Sequence, residues 1–575
     1  MGLGFQPARV YYPHVSSIVG KRRGTQTYYY LVDSARVDGK PRIISQQYLG
    51  SAEEVMAKLA GTPAGAPVRS QHKRFGDLAA VWSMIEDLDV IGLIDDAVPR
   101  HAHAGASVGT YLALATANRI IDPCSKRAFA DWWATTAGPR WVKLSAAALD
   151  HRRFWDAMDR LDEHALTAIE TQIYGGMIER CGLDLSGLAL DMTNFATFID
   201  STNGRAPIAA RGRAKQKRVD LRLVGLALVV TRDGGIPIVS HAYPGDRPDV
   251  TQFTTVLDEL VARYRLLVEQ VESLTVVYDA GQNSHHNHAV VEAHGIGFVG
   301  SLPPSDHPDL LAIPTSDYQI VDADRFGGLS AYETTVTALG VTRRAVLTHS
   351  PTLHAAQSRG LDQTLAKARA RLYRLRARLR RGGCRRGRDT VQADIDAICK
   401  PRWVNQILTV TLTGTAPAEL RLAFRTNTRA RTRLENHIFG KRILFTNRDW
   451  PTAEIVAAYR SQSEVEAGFR QLKDPHVVSF SPMHHFTDSK IRVHVFYCVL
   501  ALAIAHLMRR RAEQAGLHLS AREMLDQLAG IGETVLLYHD GGKGRPRAQR
   551  MLTDMSHTQR ALADLFAIDR YAPTR

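Results

Sequence analysis

The sequence predicts a mixed α/β protein in which a sheet flanked by helices follows a small β unit and a helical region. Three observations predict it. Short apolar or β-branched runs recur at Leu188-Ala189-Leu190-Asp191 and at residues 221–230, 236–242 and 274–279, as buried strands require. Residues 250–267, before the last of these runs, have the length and spacing of a helix. Residues 75–180 are rich in helix formers, with Leu78, Ala79, Val81, Trp82 and Ile85 at helical spacing. Three strands, a helix and a further strand are the makings of a mixed sheet.

At the N-terminal side, Tyr28-Tyr29-Tyr30-Leu31-Val32 and Pro41-Arg42-Ile43-Ile44-Ser45 flank Val37-Asp38-Gly39-Lys40. Asp-Gly between β-prone runs signals a hairpin. Gly, Ala and Pro crowd residues 60–66 and place a boundary near residue 70. The expected order is a β-hairpin unit (1–70), a helical domain (71–180), a first core segment with two key aspartates (181–300), an insertion (301–440), a second core segment (441–515) and a C-terminal region (516–575). The helical domain suits either a packing scaffold or a DNA-end-binding module; the second is preferred, although no recognition helix stands out.

Within the insertion, strand-like pieces (Ala345-Val346-Leu347 and Ile407-Leu408-Thr409-Val410-Thr411) surround a basic helix at 363–381. Its Leu365, Ala368, Leu372, Leu375 and Leu379 form one stripe, and Arg369, Arg371, Arg374, Arg376, Arg378 and Arg380 cover the rest. Gly382-Gly383 ends it, and residues 389–399 suit a second helix folding back on the first. The arginines fit DNA or a merely solvated face equally well. The same holds for the basic loop at 539–547, and no internal repeat is evident.

Composition narrows the class. With 575 residues, 45% hydrophobic and 23% charged, the chain can bury several cores, which excludes wholesale disorder. A net charge of +15 and a pI near 9.6 make nucleic acid the first partner to consider. Cys124, Cys181, Cys384, Cys399 and Cys498 are scattered without zinc spacing, which suits a reducing compartment. Met1-Gly2-Leu3-Gly4-Phe5 shows no secretory pattern, so a cytoplasmic, nucleoid-associated location is expected. The apolar run at 493–507 is short for a bilayer and holds His494 and His506. It reads as a buried core helix with Arg509, Arg510 and Arg511 at its wet end, and no membrane partner is expected.

Asp191 and Asp279 each end an apolar run, followed by Met192-Thr193-Asn194 and Ala280-Gly281-Gln282-Asn283. Functional groups of open α/β sheets gather at such strand ends, although a single aspartate there is commonly a turn or helix cap. Residues 459–473 read as one helix with a Val465, Phe469, Leu472 stripe. Tyr459, Gln462, Glu466, Arg470 and Lys473 share one flank, and Glu464 falls on the other, about 200° from Glu466. Such rows are often surface salt bridges, so periodicity alone leaves catalysis open.

The segment resembles the signature helix of one large group of bacterial insertion-sequence transposases of the DDE class: Tyr, two residues, Arg, three residues, Glu, six residues, Lys. Tyr459, Glu466 and Lys473 match, while Gln462 stands in place of the Arg. The hairpin ending Ser45-Gln46-Gln47-Tyr48-Leu49-Gly50, the strand before Asp191 with Thr193 after it, and Val277-Tyr278-Asp279-Ala280-Gly281 stand in family-like order, so the resemblance covers most of the chain.

The resemblance implies a ribonuclease H-like core with the first Asp on its first strand, the second after its fourth and the Glu on a following helix. It also implies a large, mainly β insertion before that helix. Asp191, Asp279 and Glu466 would be catalytic and would hold Mg²⁺ or Mn²⁺, two ions in all. Lys473, Tyr459 and Arg470 would bind DNA phosphate, Arg460 or Arg470 replacing the missing Arg. The implied partners are double-stranded DNA, as transposon terminal inverted repeats and target, and a second copy of the chain when bound to DNA ends. Two rivals remain: a transposase-derived DNA-binding protein without catalysis, and a nuclease or junction resolvase on the same fold.

Overall fold

The computed structural model describes residues 15–24, 26–37, 40–52, 54–55, 67–98, 105–212, 220–267, 274–381, 386–538 and 547–574. Outside these lie the Gly/Ala/Pro-rich stretch at 60–66, the Asp38-Gly39 turn tip, Gly382-Gly383, Cys384, most of the basic loop and the first residues of the chain. The protein divides into two units. The first comprises residues 1–73, 533–553 and 573–575, the second residues 74–532 and 554–572. The C-terminal region is therefore shared between the units and forms no domain of its own.

In the first unit, β1 (Val15–Arg23), β2 (Gln26–Val37) and β3 (Lys40–Ser51) form an antiparallel sheet in that order. The expected two-stranded hairpin is thus the second half of a three-stranded sheet. Tyr48 packs its ring against Tyr30 at 5.4 Å and Tyr28 at 6.1 Å. Strand β4 (Arg69–Arg74) pairs in a second sheet with the strands Gly532–Tyr538 and Arg547–Leu552.

The second unit begins with helices α1 (Gly76–Asp87), α2 (Val90–Ala97), α3 (Val108–Ile121), α4 (Phe129–Ala134), α5 (His151–Met158) and α6 (Glu163–Cys181). Ser107, Asp150 and Asp162 accept backbone N–H groups at three of their N-termini, satisfying donors that a helix start leaves unpaired.

Next come β5 (Leu188–Thr197), β6 (Arg222–Thr231), β7 (Pro237–Pro244), α7 (Asp249–Leu267), β8 (Thr275–Tyr278), α8 (His285–Ala293) and β9 (Gly297–Leu302). After β10 (Gln319–Ile320), β11 (Ser330–Ala338) and β12 (Val341–His349) come α9 (Pro351–Arg380), α10 (Arg388–Cys399), β13 (Leu408–Thr413), β14 (Arg421–Thr426), α11 (Thr428–His437) and β15 (Lys441–Thr446). Helices α12 (Thr452–Arg460), α13 (Gln462–Lys473), α14 (Asp488–Gln514), α15 (Ala521–Ala529) and α16 (His557–Leu565) complete the unit.

Nine strands form one sheet in the order β10-β11-β12-β15-β9-β8-β5-β6-β7. The pairs β5–β8 and β8–β9 are parallel, and β5–β6–β7 is an antiparallel meander. The fold is mixed α/β, a large mixed sheet flanked by helices. On one face Leu188, Leu190, Met192 and Val276 pack with Phe253, Leu257 and Val261 of α7. On the other, Val277, Val299 and Leu444 pack with Ile455, Val456 and Tyr459 of α12.

The insertion is not mainly β. Strands β11 and β12 extend the main sheet, while the 30-residue α9 and α10 build a separate core with the β13–β14 hairpin. The stripe Leu365, Ala368, Leu372, Leu375 and Leu379 is what decides this, because it buries against Val391, Ile395, Leu412 and Leu422 within the chain. Helix α14 is long and apolar enough to cross a membrane, yet 94% of its most apolar stretch is buried in the protein. His494 and His506 find partners there in the carbonyls of Phe480 and Gly235, each 2.7 Å away.

Candidate active site

Asp191 does not end its strand. β5 runs on to Thr197 and pairs with β6 along its whole length, Asp191 opposite Leu228 and Thr197 opposite Arg222. The change at Asp191 lies on the other edge, where β8 pairs with β5 only at Leu188–Val276 and Ala189–Val277. Beyond these pairs the two parallel strands part, and each carries an aspartate two residues past the last one. Asp191 sits half-buried and Asp279 exposed at the mouth of the crevice, as expected where strands of an open sheet end.

Helices α12 and α13 close the crevice. They are separate: Ser461 divides the segment expected as one helix, and its hydroxyl donates to the Ala458 carbonyl at 2.6 Å. Gln462, just past this break, is buried. Its Nε2 donates to the Val277 carbonyl at 2.6 Å and the Leu190 carbonyl at 3.3 Å, tying together the strands where they separate. The Gln462 amide thus serves two main-chain acceptors.

The Oδ1 of Asp279 accepts from the Ala280 N–H at 2.8 Å, the Ser301 hydroxyl at 3.0 Å and the Tyr459 hydroxyl at 3.1 Å. Arg442 of β15 donates to the same phenol oxygen at 3.3 Å and lies over its ring. Burial first, then the Asp279 charge, raises the Tyr459 phenol above its usual range, so it remains a neutral donor.

Asp191, Asp279, Tyr459 and Glu466 all line one cleft of about 450 Å³, together with Arg442, Arg460 and Gln462. Glu466 is exposed there, whereas Glu464 turns away and forms a salt bridge of 2.9 Å with Arg509. Lys473 is not in the cleft wall. It donates to the Thr193 hydroxyl at 2.7 Å, and Thr193 follows Asp191 on the same side of β5. Arg470 is exposed on α13 and does not line the cleft.

Three carboxylates around one cleft are hard oxygen donors of the type Mg²⁺ and Mn²⁺ prefer. Among the described residues, however, no three His, Cys, Asp or Glu side chains are gathered closely enough to hold a metal ion alone. Any ion held there would need further ligands from a substrate or water. Ser301 and Arg442 had no sequence signal, because β9 and β15 reach the site only through the sheet order.

No family model matches the chain, and no curated protein matches it. Among solved structures, the synaptic complex of piggyBac transposase with hairpin DNA is similar to it with a TM-score of 0.37 and 9% identity, over 88% of this chain and 85% of that one. A likeness at that score fixes neither fold nor function.

Proposed function

We propose that this chain is a DNA transposase of the DDE class, cutting DNA at transposon ends and joining the freed strands to target DNA. The observation that carries the reading is the meeting of Asp191, Asp279 and Glu466 in one cleft from three separated parts of the sequence. Three further placements support a ribonuclease H-like core. Asp191 lies on the first and Asp279 just after the fourth strand of the run β5–β9, and Glu466 follows on a helix. That is the placement implied by the resemblance of residues 459–473 to the insertion-sequence group.

Asp191, Asp279 and Glu466 would hold Mg²⁺ or Mn²⁺ together with phosphate oxygens of the DNA. Such ions activate a water or hydroxyl for attack on phosphorus and stabilise the leaving oxygen. The chain positions the groups. Ser301 and Tyr459 orient Asp279, Gln462 fixes the crevice, and Arg442 and Arg460 place positive charge where phosphate enters. Lys473 would contact backbone phosphate beyond Thr193, and Arg470 from the outer face of α13. A homodimer on paired inverted repeats, in the cytoplasm at the nucleoid, completes the proposal.

The test is incubation of the full chain and Mg²⁺ with DNA carrying the inverted repeats that flank its gene. Nicks at the repeat boundary and joined strand-transfer products are expected. Hydrolysed ends without joining would point to a nuclease or resolvase, and end binding without any metal-dependent nick to a non-catalytic DNA-binding protein.

A further inference from the structure

A second cavity, of about 480 Å³, shares no lining residue with the carboxylate cleft. Arg119 of α3, Lys126 from the loop after it, Trp155 of α5, His485 and Phe486 from the segment joining α13 to α14, and Tyr497 of α14 contribute to its wall. The proposed cleavage chemistry uses none of them.

The cavity is built around cations without counter-charges. Lys126 is 7% exposed, and its Nζ has no hydrogen-bond partner. It lies 4.6 Å from the centre of the Tyr497 ring and 5.3 Å from that of Phe154. Arg119, 1% exposed, gives its terminal nitrogens to the carbonyls of Ser481, Ser479 and Cys124, while its Nε is unpartnered. Among the described residues neither cation pairs with a carboxylate in a salt bridge.

Ring faces return to an ammonium only part of what stripping it of water costs. Burial first, then Arg119, brings Lys126 down to about 7. Burial first, then Lys126 and Arg119, brings His485 down to about 3. In both, neighbouring cations add to the effect of burial. A cavity with this lining suits an anion. Ser125 and the exposed Arg127 add a hydroxyl and a guanidinium to the same wall, more donors than a single carboxylate engages. Trp155, half-buried, and Phe486, 42% exposed, offer ring surface beside them.

We propose that this cavity is a phosphate-binding site, with the Lys126 ammonium as its central charged ligand. The phosphate belongs either to a nucleic-acid strand, whose base would rest on Trp155 or Phe486, or to free inorganic phosphate. The site stands whether or not the carboxylate cleft cuts DNA.

The experiment compares the full chain with its Lys126→Met and Lys126→Gln variants by melting and calorimetric titration. The probes are inorganic phosphate, thymidine and thymidine 5′-monophosphate, against chloride at equal ionic strength. Without phosphate, Lys126→Met should melt no lower than the parent, because removing an unpaired buried charge is commonly neutral or stabilising. Saturating phosphate should raise the parent's melting temperature by about 2 °C or more and that of the variants by less than half as much. If Lys126→Met does not fold, Lys126→Gln carries the same comparison. About tenfold tighter binding of thymidine 5′-monophosphate than of inorganic phosphate supports a nucleic-acid strand as the source, since one stacked base contributes about that much. Equal binding of the two supports free phosphate. Stabilisation unchanged by the loss of Lys126, or equal binding of thymidine with and without its 5′ phosphate, overturns the proposal.

Discussion

Asp279 is held by three donors on one oxygen, whereas Glu466 enters the same cleft from an exposed helical position. The difference shapes the outcome of conservative substitutions. Asp279→Asn keeps an oxygen acceptor for Ala280, Ser301 and Tyr459, so the fold should persist while the charge needed by a cation is lost. Under the proposed function, Asp279→Asn and Glu466→Gln should each lower Mg²⁺-dependent cleavage by about a hundredfold or more, some 2.7 kcal/mol of barrier. Binding to transposon ends should survive in both. Glu464→Gln removes only a partly exposed ion pair with Arg509, worth about 0–1 kcal/mol, and should cut at close to the parental rate. An excision assay with Glu464→Gln dead and Glu466→Gln active would overturn the assignment. Gln462 yields a stability prediction. Gln462→Leu removes both bonds to the Leu190 and Val277 carbonyls and should cost about 1–3 kcal/mol, measured by denaturant unfolding; an unchanged midpoint would mean that these bonds do not hold the crevice.

Among the elements, α9 divides its arginines between two tasks. Arg369 donates to the Thr426 hydroxyl, and Arg376 lies over the rings of Tyr373 and Phe424, whereas Arg371, Arg374 and Arg378 are exposed. If this face meets DNA, Arg371→Gln/Arg374→Gln/Arg378→Gln should weaken duplex binding and flatten the salt dependence by about 0.9 per lost phosphate contact; the same slope for parent and variant would make the face merely solvated. The variant should stay folded, because the stripe from Leu361 to Leu379 that anchors α9 is untouched. That stripe was legible at helical spacing, and the apolar runs at 188–191, 221–230, 236–242 and 274–279 each lie on a strand to within a residue at the run's ends, where local hydrophobicity and burial agree. Connectivity was not legible. The partners of β4 lie at the far end of the chain, and β11 and β12 join the main sheet from inside the insertion. Periodicity reports which face is buried, not against what. The same gap hid Arg442 and Ser301 from the site, and it let the break at Ser461 pass for continuous helix, because serine is an ordinary helical residue until its hydroxyl bonds the preceding turn.

For the whole molecule, the buried histidines couple stability to pH. His506 is fully buried on α14, its Nδ1–H donating to the Gly235 carbonyl. Burial first, then the nearby Arg509 charge, lowers it to about 4, against about 6.5 in an unfolded chain. Below pH 6.5 the unfolded chain takes up a proton that the folded ring refuses, so stability falls as pH drops from about 6.5 towards 4 and is unaffected by this ring above that range. Between pH 7 and pH 5 the loss should be about 2 kcal/mol. His485 and His494 are depressed in the same direction and should steepen the fall. Carboxylates that titrate over the same range obscure the total, but a difference between two proteins isolates one ring. His506→Asn can keep an N–H near the Gly235 carbonyl and does not titrate. The variant should be less stable than the parent at pH 7, where the imidazole fills its site better. Its deficit should then shrink by about 2 kcal/mol on going to pH 5, because only the parent carries the proton penalty. Denaturant unfolding of both proteins at the two pH values measures this, and a deficit independent of pH would show that His506 is not held neutral by its burial.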